Sequence, residues 1–328
     1  MSPLRGLWRL VGGALPVRAA LMAAAALIAV ALAAPRPVLP RRVFDGIVVL
    51  DITQSMNTLD TLLDRRPVSR LAFAKAWLRR ALAQLPCGAR VGWGVFTEYR
   101  SYVLLLPVEV CANYAELVAS LDRIDGTMAW AGGSEISKGL FSALRISARM
   151  PERPAVVFFT DGHEAPPLRS DYTPVVPDEV TDPHGIVVGV GGDELRPIPK
   201  YDPSGQPIGI WGPEEVMQVA PQAGSREPER APSSPVAVGT EHLSSLKQPH
   251  LRELAALSRL GYVRLERSTA VNEILQDRRA TRRLPVPVDA RAPLEAIALA
   301  LLVFVIGPRR RLPDGMLRLA RRIQSYFI

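Results

Sequence analysis

Three oxygen-bearing side chains follow a short apolar run near the start of the chain. The run Ile47–Leu50 ends at Asp51, and Thr53 and Ser55 follow on alternate positions. An apolar, β-branched run of this length is typical of a buried parallel strand. Open α/β sheets bind ligands at the carboxyl ends of such strands. One carboxylate and two hydroxyls at that edge supply half of the octahedral oxygen shell that Mg²⁺ prefers.

A second apolar run ends in the same way. Residues 155–160 read as another buried strand, and Asp161 follows it directly. Between the two runs, Ser134 precedes a predicted helix that extends to Met150, and a hydroxyl at this position either caps the helix or faces outward. Two carboxylates match a divalent charge. Three hydroxyls complete the set and leave a position open for a carboxylate from a partner.

The phrase Asp-Ile-Thr-Gln-Ser-Met from Asp51 resembles the metal-ion-dependent adhesion site (MIDAS) of von Willebrand factor A (vWA) domains, whose usual form is D-x-S-x-S. The later loops also match, with Gly-Gly-Ser at Ser134, where the family usually has Thr, and Thr-Asp-Gly at Asp161. The resemblance implies a divalent metal site formed by Asp51, Thr53, Ser55, Ser134 and Asp161. We expect Mg²⁺, with Mn²⁺ or Ca²⁺ as alternatives, and no enzymatic turnover.

The same resemblance implies the fold and the domain limits. It predicts a doubly wound, Rossmann-like α/β domain over residues 43–284, with a mostly parallel sheet and one antiparallel edge strand. Residues 193–248 are rich in proline, which argues against regular structure, so we interpret them as an insertion in this domain.

Several phrases resemble a narrower group, the MxaL-type vWA proteins of bacterial methanol dehydrogenase gene clusters. They begin at Asp51, Ser69, Pro107, Asp161 and Gly239. This resemblance implies an accessory protein in methanol dehydrogenase maturation, with a role in Ca²⁺ insertion proposed for the group. The implied partners are a protein that supplies a carboxylate to the metal, methanol dehydrogenase or its accessory proteins, and a MoxR-type ATPase system.

Two rival interpretations remain at this stage. Phosphotransferases of the haloacid dehalogenase type also place an aspartate after a buried strand, and Asp51 would then be the nucleophile and Asp161 a magnesium ligand. Against this, Thr53 stands where most such hydrolases have the acid/base aspartate. The other rival is a vWA-like structural scaffold that binds no metal.

The two ends of the chain are basic. Residues 1–18 carry three arginines and no acid, and residues 308–328 carry six arginines and one aspartate. These ends account for the whole formal charge of +8, so the middle of the chain is neutral. A nucleic-acid-binding domain carries its own basic face. The charge distribution therefore argues against nucleic acid as a partner.

Both basic ends flank apolar segments, which we interpret as membrane helices at residues 19–35 and 293–307. Ala31-Leu32-Ala33 also fits a cleavage site, so the first segment could instead be a signal peptide. The second is short for a hydrocarbon core of about 30 Å and could instead be a buried C-terminal helix. Arginines after it favour a cytoplasmic tail. This topology predicts a bacterial inner-membrane protein with its vWA domain in the periplasm.

Cys87 and Cys111 are the only cysteines. They flank two strand-like runs that we predict to form an antiparallel hairpin with its turn near Glu98. The cysteines would then face each other beyond the open end of the hairpin. In an exported domain this arrangement favours a disulfide, and two buried free thiols are the alternative.

Overall fold

The computed structural model describes residues 17–33, 37–168, 174–217, 240–288 and 291–306. These residues fall into two compact units, Met1–Leu39 with Pro287–Ile328, and Pro40–Val286. Most of the predicted basic cytoplasmic ends lie outside the described residues.

Seven α-helices and thirteen strands are present in the described residues. The helices are α1 Val17–Ala33, α2 Arg70–Leu82, α3 Tyr114–Arg123, α4 Ile136–Arg149, α5 Gln248–Leu257, α6 Val271–Ile274 and α7 Arg291–Ile306. The strands are β1 Val38–Asp51, β2 Thr61–Leu63, β3 Arg66–Val68, β4 Arg90–Thr97, β5 Arg100–Glu109, β6 Ala155–Thr160, β7 Gly185–Gly189, β8 Arg196–Pro197, β9 Pro199–Tyr201, β10 Pro207–Ile210, β11 Leu243–Ser244, β12 Gly261–Arg264 and β13 Thr281–Pro287.

One seven-stranded sheet forms the centre of the unit Pro40–Val286. Its order is β12-β7-β6-β1-β4-β5, and β13 also pairs with β1. The pairs among β12, β7, β6, β1 and β4 are parallel, and β5 pairs antiparallel to β4 at the edge. The predicted mostly parallel, Rossmann-like sheet with an antiparallel edge strand is therefore confirmed.

From Val43 onward, strand β1 is buried on both faces because helices cover both sides of the sheet. Val48 and Leu50 pack with residues of α2, α3 and α6 on one face. Ile47 and Val49 point to the opposite face and pack with residues of α4 and α5. Alternation of side chains along a strand explains why this run is apolar throughout rather than at every second position. The result is a three-layer α/β/α arrangement.

A glycine allows α4 to lie against the sheet. A Cβ built on Gly139 would lie 2.1 Å from ring atoms of Phe96 at the end of β4. The absence of a side chain therefore lets this helix approach closely. Because α4 begins just after Ser134, its position also determines where the second loop of the candidate site lies.

The insertion contains more regular structure than its proline content suggested. Strands β9 and β10 form a small antiparallel hairpin, and β8 pairs with β11. Pairing on strands of two to four residues tolerates prolines at positions where no ladder hydrogen bond is needed. Within the predicted insertion, residues 218–239 lie outside the described residues.

The C-terminal part of the domain differs from the sequence prediction. The sequence of residues 268–279 predicts one helix, but only Val271–Ile274 is helical. The carboxylate of Asp277 accepts a hydrogen bond from the backbone N–H of Arg279, at 2.7 Å, and this local turn replaces the helix. Residues 281–287, for which no strand was predicted, form β13, and Arg282 of this strand pairs with the buried Asp45.

Helices α1 and α7 belong to the smaller unit and pack against each other. They coincide approximately with the two segments interpreted as membrane helices. Among the helices that the structure describes, none is long and apolar enough to cross a membrane.

Cys87 and Cys111 form a disulfide next to the β4–β5 hairpin, with their Cα atoms 5.2 Å apart. The hairpin register shifts twice between Val91 and Gly94, so the strands are not paired evenly along their length. The bridge closes the open end of this hairpin, where Gly88 and Ala112 also donate backbone hydrogen bonds to the Glu109 carboxylate, each at 2.6 Å.

Candidate metal centre

Asp51 is the last residue of β1 and is completely buried. Its Oδ1 accepts hydrogen bonds from the backbone N–H and the hydroxyl of Thr53, at 2.9 and 2.7 Å. Its Oδ2 accepts one from the hydroxyl of Thr160, the last residue of β6, at 2.6 Å. Both oxygens are therefore held in place by donors from two neighbouring parallel strand ends.

Ser55 links the first loop to the third. It lies in the short 3₁₀ helix Gln54–Asn57, and its Oγ donates to Oδ1 of Asp161 at 3.1 Å. The Ser55 Oγ also lies 3.4 Å from Thr53 Oγ1. Alternate residues of the first loop thus point their oxygen atoms to the same side.

Ser134 lies on the second loop, which is attached to the third by a pair of backbone hydrogen bonds. The N–H of Ser134 donates to the carbonyl of Ala165 at 2.6 Å, and the N–H of Ala165 donates back at 2.8 Å. Its hydroxyl lies 3.5 Å from Thr53 Oγ1. The helix that follows begins at Ile136, so Ser134 does not cap it. Glu164 accepts the N–H groups of Ile136 and Ser137 instead, at 2.9 and 3.3 Å.

Asp161 follows β6 and is also completely buried. Its Oδ1 accepts from Ser55 Oγ and from the backbone N–H of His163, at 2.9 Å. Its Oδ2 accepts from the guanidinium of Arg70 and from Ser244 Oγ, the latter at 3.2 Å. The structure therefore brings together all five residues that the sequence pattern singled out, from three separate loops at one edge of the sheet.

The two aspartates of this cluster have opposite pKa shifts. Burial and the nearby charge of Asp161 raise the pKa of Asp51 to about 7, although hydrogen bonds from Thr160 and Thr53 oppose the shift. Burial alone would raise the pKa of Asp161, but the charge of Arg70 and the donors around the carboxylate hold that pKa below its ordinary value. Two buried carboxylates this close favour a bound cation, because a cation would offset their repulsion.

The donor set fits a hard divalent cation. It consists of two carboxylates and three hydroxyls, and such cations take oxygen ligands. Asp51, Thr53, Ser55, Ser134 and Asp161 would hold the ion, which would supply a positive centre able to bind an anionic group.

Arg70 is the main residue of the site that the sequence pattern did not reveal. It begins α2, its side chain is completely buried, and it donates to both oxygens of Asp60 through Nε, at 3.0 and 3.1 Å. Its Nη1 also donates to Ser244 Oγ at 2.6 Å. A cation in the first turn of a helix is unfavourable for the helix dipole, and this was the available sequence signal that Arg70 has a buried anionic partner.

The insertion covers one side of this edge. A cavity of about 300 Å³ has Thr53, Ser55 and Ser134 on one side and side chains of the insertion on the other. The insertion contributes mainly apolar groups, namely Ile198, Trp211, Val216 and Met217.

His163 also lines this cavity and is only 4% exposed. A single histidine on a loop is expected from the sequence to face solvent, and the structure shows that this expectation is wrong. Burial lowers the pKa of its imidazole, although the charge of Asp161 opposes the shift. The Nδ1 atom of His163 has no hydrogen-bond partner among the described residues.

The local turn at Asp51, in which the carboxylate accepts hydrogen bonds from the backbone N–H and the hydroxyl of the residue two positions later, also occurs at two other places. Asp125 and Asp202 each accept two hydrogen bonds from the residue two positions later, Thr127 and Ser204, at 2.6–2.9 Å. Asp125 is exposed and Asp202 is half-buried, and neither belongs to the cluster of five residues. The distinguishing feature of the Asp51 loop is therefore the convergence of two further loops on it, and not the turn itself.

Comparison with known proteins agrees with this geometry. Residues 47–163 match the model of the von Willebrand factor type A domain, so the chain contains a vWA domain. The match includes all five residues of the candidate metal centre. No curated protein matches the chain.

Solved structures give weaker likenesses. An aerotolerance-related membrane protein from Bacteroides fragilis NCTC 9343 is 20% identical, with 71% of this chain and 97% of that chain covered and a TM-score of 0.46. The conserved hypothetical protein BatB from Bacteroides thetaiotaomicron is 19% identical, with 79% and 98% covered and a TM-score of 0.44. Likenesses at this level carry no functional conclusion.

Proposed function

We propose that this chain binds a divalent cation at Asp51, Thr53, Ser55, Ser134 and Asp161, and uses it to dock an acidic side chain of a protein partner. The observation that carries this proposal is the convergence of five oxygen-bearing side chains from three loops on one buried position. Mg²⁺ is the expected ion, and Mn²⁺ and Ca²⁺ are alternatives with the same ligand preference.

The direct test is titration calorimetry of Mg²⁺, Mn²⁺ and Ca²⁺ into the full chain. We expect one site in the wild type, no binding in Asp51→Asn, and affinity weakened about tenfold in Ser134→Ala, which removes one neutral oxygen ligand. Asp202→Asn is the matched control, because Asp202 makes the same local turn with Ser204 but lies outside the cluster of five residues.

Equal titrations of the wild type and Asp51→Asn would contradict the proposal and favour the metal-free scaffold. The order of affinities is informative as well. A preference for Ca²⁺ over Mg²⁺ would support a role in delivering Ca²⁺ to another protein.

We propose docking without turnover. Thr53 stands where most haloacid-dehalogenase-type hydrolases have the acid/base aspartate, and its hydroxyl donates to Asp51 Oδ1 at 2.7 Å. Incubation with beryllium fluoride and Mg²⁺, followed by mass spectrometry of the intact chain, is expected to give no adduct. An adduct lost in Asp51→Asn would instead establish a phosphotransferase.

We further propose that α1 and α7 tether the domain to the bacterial inner membrane, with the metal centre in the periplasm. Support comes from the apolar composition of both helices and from the Cys87–Cys111 disulfide, since disulfides persist in oxidising compartments. Alkaline extraction of bacterial membranes tests the tether, and release of the chain into the soluble fraction would contradict it.

The proposed biological role is assembly or maturation of methanol dehydrogenase, as in the MxaL-type proteins, together with a MoxR-type ATPase. This role depends only on the sequence phrases described above. Copurification with methanol dehydrogenase subunits that requires Asp51 would support it, and copurification that is equal in Asp51→Asn would contradict a metal-dependent role.

A further inference from the structure

Two cavities adjoin at the metal edge. The cavity of about 300 Å³ next to the candidate metal centre shares Gln54, Gly132 and Trp211 with a second cavity of about 650 Å³. The second has a mixed lining, in which apolar groups such as Leu71 and Trp130 lie among polar and charged ones such as Lys75, Asp125 and Asp202. The two adjoining cavities, which meet at Gly132 and Trp211, are together called here the metal-edge groove.

The passage between the two cavities is open. A Cβ built on Gly132 would have no atom within 4 Å, so the backbone of the second loop borders empty space there. Trp211, from the insertion, forms the opposite wall, and Lys200 lies over its ring at 4.5 Å from the centroid. An elongated occupant could thus pass from the metal edge into the larger cavity.

The charge around the smaller cavity limits what can enter it. Three glutamates line it, Glu164, Glu215 and Glu241. Glu164 accepts a hydrogen bond from the backbone N–H at the start of α4 and lies within hydrogen-bond distance of His250. Glu215 accepts a hydrogen bond from Lys200. The carboxylates of this rim disfavour multiply charged anions, although two of the three lie against His250 and Lys200. A single carboxylate is the anionic group that a metal bound here would accept best.

His163 provides a second observation that points to a ligand. This side chain is nine-tenths buried, lines the smaller cavity, and has an Nδ1 without a partner among the described residues. Buried polar groups ordinarily have a hydrogen-bond partner, and an unpaired one is costly. A polar group of a bound molecule would satisfy it.

We infer that the metal-edge groove binds an extended peptide segment of a partner protein, with one acidic side chain at the metal, an apolar side chain against Trp211 and the rest of the segment along the larger cavity. This inference rests on the proposed metal-dependent docking. Insertion residues such as Trp211 and Val216 line the smaller cavity together with the metal-edge loops, and a cleft of this kind favours a narrow segment over a flat folded surface. A small free carboxylate would leave the larger cavity unfilled, so a peptide segment matches both the shape and the charge.

The test uses the full chain with Mg²⁺ and an array of short peptides, each with one central aspartate between varied residues. A second array carries asparagine in its place, and acetate serves as the free carboxylate. We expect binding to aspartate peptides with apolar neighbours only. Trp211→Ala and Gly132→Leu are expected to lower that binding at least about tenfold, as for central interface residues, while Mg²⁺ binding by calorimetry stays unchanged.

Tyr114→Ala is the control, because Tyr114 is an exposed aromatic residue that lines neither cavity. The inference is overturned if acetate binds as tightly as the peptides, if asparagine peptides bind equally, or if Trp211→Ala and Gly132→Leu bind like Tyr114→Ala. Normal Mg²⁺ binding with no peptide binding overturns the inference alone. Absence of Mg²⁺ binding by the wild type overturns the proposed function as well.

Discussion

The guanidinium of Arg70 donates to Oδ2 of Asp161, and both side chains are completely inaccessible to solvent. The same guanidinium also pairs with Asp60, which in turn accepts the backbone N–H of Gly192 at 2.9 Å. One oxygen of Asp161 is thus directed toward a protein cation, while the other lies beside Ser55 in the candidate metal centre.

Replacement of Arg70 by glutamine should destabilise the domain by about 3–5 kcal/mol, because Asp60 and Asp161 would both lose their buried countercharge. Urea unfolding followed by the fluorescence of the buried Trp77 and Trp93 measures this free energy. Arg79→Gln is the control on the same helix. Its pair with Asp122 is about half exposed, and such pairs contribute less than about 1 kcal/mol. Equal losses in the two variants would show that the buried pair has no special role.

Metal affinity should depend on pH around neutrality. The pKa of Asp51, raised to about 7 by burial and by the charge of Asp161, means that this carboxyl is protonated in the metal-free domain at lower pH. A cation must then displace the proton, so affinity should fall about tenfold per pH unit below 7 and level off above it. Calorimetry between about pH 5.5 and 8 checks this. Affinity that stays constant down to about pH 5 would contradict the raised pKa.

The raised pKa of Asp51 also predicts how the stability of the metal-free domain changes with pH. Between the unfolded-state pKa, near 3.8, and about 7, the folded protein binds more protons at Asp51 than the unfolded chain does. The contribution of Asp51 to the free energy of unfolding should therefore decrease as pH rises through this window. Comparison of the wild type with Asp51→Asn by urea unfolding isolates that contribution. A difference between the two that does not vary over the window would count against it.

Gly139→Ala should destabilise the domain by about 1–3 kcal/mol, the usual cost of overpacking. In an unhindered helix the same substitution stabilises by about 1 kcal/mol, but here the added Cβ would overlap the ring of Phe96. Thermal unfolding measures the effect. Phe96→Leu provides the matched background, since a smaller side chain gives the new methyl group room. If the loss is the same in both backgrounds, the contact with Phe96 is not its cause.

Loss of the disulfide should cost about 3 kcal/mol. Cys87 and Cys111 are separated by 24 positions, and closure of a loop of that length reduces the entropy of the unfolded chain by about this amount. The comparison is between the wild type and the double variant Cys87→Ser/Cys111→Ser in urea. A reductant should lower the stability of the wild type only, and an equal effect on both proteins would indicate that the bridge is not formed in solution.

Local sequence patterns predicted those parts of the fold and site that depend on neighbouring residues. Asp51 and Asp161 could be placed at one sheet edge because each directly follows an apolar run, and parallel strands end at the same side. Apolar spacing likewise predicts a helix over residues 70–84, and α2 spans Arg70–Leu82. The positions of these elements are set largely by local apolar periodicity.

Contacts between distant segments were not predictable in this way. Arg70 and Asp161 are 91 positions apart, and nothing in either phrase specifies their pairing. Likewise, the proline content of the insertion indicated little regular structure but gave no sign that Trp211 would lie beside Ser55 and Ser134. Strand β13 was missed because its burial comes from pairing with β1, which its own alternating polar residues do not reveal.

The three aspartate turns at Asp51, Asp125 and Asp202 share nearly the same hydrogen-bond lengths, yet only the first is buried against a second carboxylate. An aspartate turn that places two oxygen atoms together therefore forms readily from local sequence alone, without a metal site around it. The rare component is the distant carboxylate with its own arginine. In related chains, loss of the Arg70–Asp161 pair should therefore be a better marker of a lost metal site than changes in the Asp-x-Thr-x-Ser phrase.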